Sequence, residues 1–247
     1  MTGGPLLAVR DLTVTAGAVS LVRDIALDVP AKGVVALLGR NGAGKTTTLR
    51  GILGLAPRGG RVTGSVCLDG GEQAGRLTHQ IVRSGIGYVA ENRGLFGALT
   101  VAENLRLAEP RHGEPDYDRV FAVFPELKDR ARQRAGTMSG GQQQMLALGR
   151  VLLGRARLLL VDEPTKGLAP KIVTEVAEVL AHLAEAVPIL LVEQKLAAVR
   201  RLARTAVVLT DGHVAFTGAA RTLMEDPELV RSLLGVGSAG HTREVAS

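Results

Sequence analysis

A chain of 247 residues is long enough to bury one large α/β core or two small ones, and 46% hydrophobic against 22% charged residues excludes a disordered chain. The net charge of +6 comes mostly from arginine, but two tyrosines, four phenylalanines and no tryptophan offer little for base stacking, so nucleic acid is not an expected partner. A single cysteine, Cys67, excludes an internal disulfide, and no apolar run approaches the roughly 18–20 residues that span a bilayer.

Met1-Thr2-Gly3-Gly4-Pro5 lacks the charged start and long apolar stretch of a secretory signal, so a cytoplasmic location is expected. Short β-rich runs then alternate with helical patterns, the signature of an α/β fold with a mainly parallel sheet. Strands are predicted near 6–14, 21–29, 34–38, 62–68, 86–90, 157–162, 189–193, 206–210 and 213–217, the last two as a hairpin around Asp211-Gly212. Helices are predicted after Lys45 and over about 101–108, 117–123, 139–154, 171–187 and 196–203. Pro170 suits a first helical turn, and Ile172, Val176, Val179, Leu180 and Leu183 give the following helix an apolar stripe for the sheet. Between about 95 and 155 the strand pattern gives way to helical segments broken by Pro110, Pro115 and Pro125. That pattern predicts a helical subdomain inserted in one domain over 1–235, followed by a small, polar tail, 236–247, expected to be mobile.

Gly39-Arg40-Asn41-Gly42-Ala43-Gly44-Lys45-Thr46 fits G-x-x-x-x-G-K-[ST], directly after an apolar strand and before a helix. Its glycines let successive backbone N–H groups curl round phosphate oxygens, and the helix N-terminus adds its positive dipole end. Lys45 brings a mobile charge to the outer phosphates of ATP, Thr46 offers its hydroxyl to Mg²⁺, and Thr47 joins the nucleotide contacts. The loop alone fits a kinase, a GTPase, a recombinase-like motor or an ABC protein.

Leu158-Leu159-Leu160-Val161-Asp162-Glu163-Pro164 is an apolar strand ending in two carboxylates, which need different tasks. Asp162 can hold Mg²⁺ through a water, and Glu163 can polarise the water that attacks the γ-phosphate. Taken alone, the same residues could be a solvated turn. Ser139, Gly140, Gly141 and Gln142 open a helical run, Ser139 as cap, with two glycines baring N–H groups for a second anion site; alone, Ser-Gly-Gly is a common loop.

Together the three segments resemble the ABC ATPases, from about residue 6 to 235. The resemblance implies a P-loop NTPase core of ABC type, with an antiparallel β subdomain and the inserted helical one. It also implies a dimer sandwiching two ATPs, in which Ser139, Gly140, Gly141 and Gln142 reach the partner's nucleotide in trans. Gly167-Leu168-Ala169-Pro170 matches the family's loop at the dimer seam.

Three departures stand out. Val14-Thr15-Ala16-Gly17 lacks the aromatic that stacks on adenine in most of the family, so adenine binding or base discrimination is expected to be weak. Glu91 stands where a Gln usually touches Mg²⁺ and the attacking water, and Gln194 stands at or near the place of a γ-phosphate-contacting His. An amide donates a hydrogen bond but carries no charge. These two substitutions, with Gly136-Thr137-Met138 before Ser139, resemble the ATP-binding subunits of branched-chain amino acid importers, whose relatives handle urea or short amides. The resemblance implies ATPase activity on the inner face of the membrane, with permease subunits, a second ATPase subunit and, indirectly, a substrate-binding protein as partners. A soluble ABC ATPase outside transport and a non-hydrolysing regulatory subunit are the alternatives. Phe96, Leu99 and Val101 belong either to a groove for the permease, with Phe96 as anchor, or to the subdomain core. Lys166 and Lys195 are read as solvated surface lysines.

Overall fold

A computed structural model describes residues 4–110 and 113–235; the tail expected over 236–247 lies outside them. The chain forms two sheets. The first is four-stranded and antiparallel, ordered β2 (Val19–Val29), β1 (Leu7–Ala16), β4 (Gly60–Leu68) and β5 (Gly71–Glu72). The second is six-stranded, ordered β10 (His213–Ala219), β9 (Thr205–Thr210), β3 (Val34–Gly39), β8 (Ile189–Val192), β7 (Leu158–Asp162) and β6 (Ile86–Val89). All its pairings are parallel except the β9–β10 hairpin, where Asp211 and Gly212 both have positive φ, as a two-residue type I′ turn requires.

Every residue of β3, β7 and β8 is buried, which is why these strands read as unbroken apolar runs: the sheet is covered on both faces. One face packs Leu37, Leu160 and Val192 against α1 (Lys45–Ile52) and the inward residues of the antiparallel sheet, among them Leu7, Leu12 and Ile25. The other packs Leu159, Val161 and Leu191 under α7 (Pro170–Ala186). Val176, Leu180 and Leu183 are buried there, with Ile172 and Val179 at the margin, as the predicted stripe requires.

Between β6 and β7 lie α3 (Val101–Arg106), α4 (Tyr117–Val123), α5 (Pro125–Asp129) and α6 (Gly140–Leu153). Val101, Val120, Phe124, Leu127 and Leu146 close a helical core, which we propose as the inserted subdomain within one ATPase domain. Pro125, read from sequence as a break, instead occupies the first turn of α5, where its missing N–H costs nothing. The remaining helices, α2 (Thr78–Arg83), α8 (Leu196–Leu202), α9 (Ala220–Glu225) and α10 (Pro227–Leu234), are short, and three of them were not predicted. α10 carries a legible start signal: Asp226 accepts from the N–H groups of Glu228 and Leu229, and Pro227 follows it.

Candidate functional site

The C-terminal ends of β3, β7 and β8 converge on the loop 39–46. Gly39 at φ 145° and Gly44 at φ 99° make its tight curl, and a Cβ would lie 2.5 Å from the Leu209 carbonyl oxygen at the first and 2.3 Å from Val22 at the second. Only glycine fits either place. Lys45, at the start of α1, is buried, and its Nζ donates to the carbonyls of Gly39 at 2.8 Å and Arg40 at 2.9 Å. Burial pushes this ammonium below its ordinary pKa, and the charges of Glu163 and Asp162 push it back up.

Asp162 closes β7 and is buried. Thr46 Oγ1 donates to its Oδ1 at 3.1 Å, and Tyr88 OH, from the neighbouring strand β6, donates to its Oδ2 at 3.3 Å. Burial raises the Asp162 carboxyl pKa, against the bonds from Thr46 and Tyr88, while burial and the Asp162 charge push the Tyr88 phenol up to about 12. The Thr46 hydroxyl and Asp162 carboxylate are hard oxygen donors of the kind Mg²⁺ takes alongside water and phosphate oxygens. Among the described residues no group of three Asp, Glu, His or Cys side chains closes on a metal by itself.

Glu163 has φ 46°, a left-handed conformation uncommon for a non-glycine residue, and its N–H donates to the Val192 carbonyl at 2.9 Å. Its carboxylate is gripped on both oxygens. Gln194 Nε2 donates to Oε1 and also to Asn41 Oδ1 at 2.9 Å, tying the loop after β8 to the loop 39–46. Lys166 Nζ lies 3.3 Å from Oε2 and 2.6 Å from Glu91 Oε1. Lys166 is therefore exposed but not simply solvated: its N–H closes a turn onto the Glu163 carbonyl at 3.1 Å, and the turn folds the side chain back over the carboxylates. Lys195 likewise has a partner, donating to the Thr165 carbonyl at 3.0 Å. Glu91 meets Lys166 rather than Asp162.

From sequence Glu193 stands only as the Glu of the Glu193-Gln194 pair that resembles the importer branch, with no role of its own. It is buried and accepts from Thr165 Oγ1 at 2.8 Å and from the N–H groups of Gln194 and Lys195 at 2.9 and 3.0 Å, so it fixes the loop carrying Gln194 against the segment carrying Glu163. Beyond that resemblance, its signal was its place directly after an apolar strand.

Ser139 caps α6 in a reciprocal pair with Gln142: Ser139 Oγ accepts from the Gln142 N–H at 3.3 Å, and Gln142 Oε1 from the Ser139 N–H at 3.1 Å. A Cβ on Gly140 would meet Leu168 at 2.8 Å and one on Gly141 would meet Ile172 at 2.5 Å, so within the chain these glycines let the helix start seat against the 167–172 segment. The hydrogen bonds of Ser139 and Gln142 stay in this cap and reach Glu126, not the loop 39–46.

A cleft of about 650 Å³ beside the loop is lined by Thr46, Thr47, Arg50, Tyr88, Glu91 and Asp162. At the β1–β2 turn, where an adenine-stacking ring was missing from sequence, stand Ala16, Gly17 and Val19, the last 63% exposed. A second cleft of about 460 Å³ is lined largely by apolar residues including Val82, Ala90, Ala108, Val151 and Ala156. Phe96 is 53% exposed with its ring 5.7 Å from the Arg150 guanidinium, so it is not part of the subdomain core, whereas Val101 is.

Among the described residues no helix is long and apolar enough to cross a membrane. The ABC transporter family profile matches residues 22–166. The chain is 39% identical over 224 residues to the high-affinity branched-chain amino acid transport ATP-binding protein BraG of Pseudomonas aeruginosa, covering 89% of this chain and 95% of that one. It is 34% identical to the probable branched-chain amino acid transport ATP-binding protein LivF of Archaeoglobus fulgidus, covering 86% and 92%. In fold it matches the dimeric post-hydrolysis ATP-binding cassette MJ0796 bound to ADP and Pi, with TM-score 0.74 at 22% identity over 87% of this chain and 99% of that one. With its phosphate loop, its paired carboxylates and its glycine-started α6, the chain belongs to the ATP-binding subunits of the ABC transporter family.

Proposed function

We propose that this chain hydrolyses ATP to power an importer of branched-chain or related amino acids, on the cytoplasmic face of the membrane. The observation that carries the chemistry is the placement of two adjacent carboxylates in two separate networks: Asp162 on Thr46 and Tyr88, Glu163 on Gln194 and Lys166. The first network faces the loop that takes the phosphates, and its oxygen donors suit Mg²⁺, which when bound neutralises charge on the phosphate oxygens. The second holds a carboxylate able to take a proton from water during in-line attack on the γ-phosphate. The bonds of Gln194 to both Asn41 and Glu163 support a role for it in registering whether the γ-phosphate is present. The substrate class rests on the relatives BraG and LivF.

Among the described residues the hydrogen bonds of Ser139 and Gln142 do not reach the loop 39–46, which supports a sandwich in which Ser139 to Gln142 cover the nucleotide of a second ATPase subunit, identical or related. The apolar cleft, whose lining residue Arg150 lies over the exposed Phe96 ring, suits a helix of a permease, itself served by a substrate-binding protein. Replacing Glu163 by Gln in the complex reconstituted with its permeases tests the reading. ATP binding is retained, a closed dimer accumulates and turnover falls about 10²- to 10⁴-fold together with leucine uptake; near-normal turnover would remove Glu163 from the base role.

A further inference from the structure

The contact of Lys166 with Glu91 has no part in the roles above, although the same ammonium also reaches Glu163. Lys166 stands on the turn after β7, Glu91 on the turn after β6, and the ammonium joins them at 2.6 Å while reaching Glu163 at 3.3 Å. Asp162 and Glu91 line a cleft proposed to receive the phosphates of ATP, and Glu163 is joined to Glu91 through Lys166. Lys45 is the cation supplied by the phosphate loop itself. A neutral side chain at position 91 would add no charge; Glu91 adds one, and Lys166 is the cation in contact with it.

We propose that Lys166 is a positioning residue that cancels the charge of Glu91 and holds the second oxygen of Glu163, so that phosphate binding meets one fewer uncompensated anion and the base keeps a fixed direction. This rests on the proposed roles of the loop 39–46 and of Glu163. The Lys166 and Glu91 side chains are 57% and 44% exposed, and ion pairs in that setting contribute little to folding. A purely structural role therefore predicts almost no phenotype. A charge role predicts a ligand-dependent one, because an uncompensated carboxylate repels a polyanion over several ångströms and salt weakens the repulsion.

The test is calorimetric titration of the whole chain with magnesium and a non-hydrolysable ATP analogue. Lys166→Gln raises the Kd about five- to tenfold at low ionic strength, with a smaller factor at high salt. Lys166→Arg stays within about twofold, since a guanidinium offers the same charge to both carboxylates. The double variant Glu91→Gln with Lys166→Gln binds within about twofold of the wild type, because removing both charges returns the pair to zero net charge. In the reconstituted complex Lys166→Gln also lowers kcat about tenfold, reflecting the loosened Glu163. An unchanged or tighter Kd for Lys166→Gln, or a double variant that binds as weakly as Lys166→Gln alone, overturns the proposal. Lys45→Ala and Glu163→Gln are the controls: if they bind and turn over like the wild type, the site reading itself fails, whereas if they are impaired and Lys166→Gln is neutral, only the role of Lys166 falls.

Discussion

The phosphate loop with its carboxylates and the β1–β2 turn, where a base-stacking ring was expected and is missing, are built differently. At the phosphate end Lys45, Asp162 and Glu163 are buried, and each is held by at least two side-chain hydrogen bonds or ion pairs. At the β1–β2 turn β1 runs out at Ala16, Gly17 and Ala18 make the turn, and the exposed Val19 takes the return strand away; among the described residues no aromatic stands in this turn. Phosphoryl transfer needs charges placed to within a fraction of an ångström, because its catalysis is positioning and electrostatics. Holding a base needs only a flat surface and is open to compensation elsewhere. The proposed site therefore predicts that nucleotide binding rests on the phosphate grip.

The largest break of that contrast is Lys45→Ala. Truncating one member of a buried, hydrogen-bonded charge pair costs about 2–5 kcal/mol, roughly a 30-fold to several-thousand-fold rise in Kd for ATP. Equilibrium titration checks it, and a change below threefold would mean that the grip lies elsewhere. A gain at the other end comes next. Ala16→Tyr puts a ring at the end of β1, where Ala16 pairs with Val19 and Gly60 and is half-buried. A stacked base is worth about 1–3 kcal/mol in nucleic-acid proteins, so ATP affinity rises about 5- to 150-fold. The wild type binds ATP and GTP within a few-fold of each other, and tight, ATP-selective binding by the unmodified chain would erase the difference between the two ends.

How much of this was legible in the sequence follows the same division. The phosphate loop, Asp162 and Glu163 stand on contiguous runs whose spacing is tied to backbone geometry, and β3, β7 and β8 announce themselves as apolar runs because both faces are covered. The short α2, α9 and α10 did not show, since six to eight residues hold too few helical repeats to set a period. Lys166 was misread because its partner Glu91 is 75 positions away and the turn that joins them exists only once β6 and β7 are neighbours. Glu193 was passed over because an acidic residue after a strand reads as surface, whereas Thr165 and two backbone N–H groups bury it.

Tyr88 was recoverable in principle. β6 and β7 run parallel with Tyr88 opposite Leu160, two residues before Asp162, so a side chain on that face leans along the strand toward the carboxylate. Tyr88→Phe removes one of the two side-chain donors to Asp162, about 0.5–1.5 kcal/mol, and turnover falls about two- to tenfold while nucleotide still binds. The phenol also gives a spectroscopic check, since Tyr88 and Tyr117 are the two tyrosines and both are pushed up to about 12. A group whose folded pKa is raised stabilises the fold fully below its unfolded value, about 10 for tyrosine, and loses that contribution as pH climbs through the folded value. The native chain therefore develops tyrosinate absorbance only near pH 12, in one combined rise, and Tyr88→Phe halves the amplitude without moving the remainder, which belongs to Tyr117 and its partner Glu109. A tyrosinate step near pH 10 in the folded protein that disappears in Tyr88→Phe would mean that Tyr88 is solvated and free of Asp162, and the phosphate end would then hold its metal-facing carboxylate by Thr46 alone.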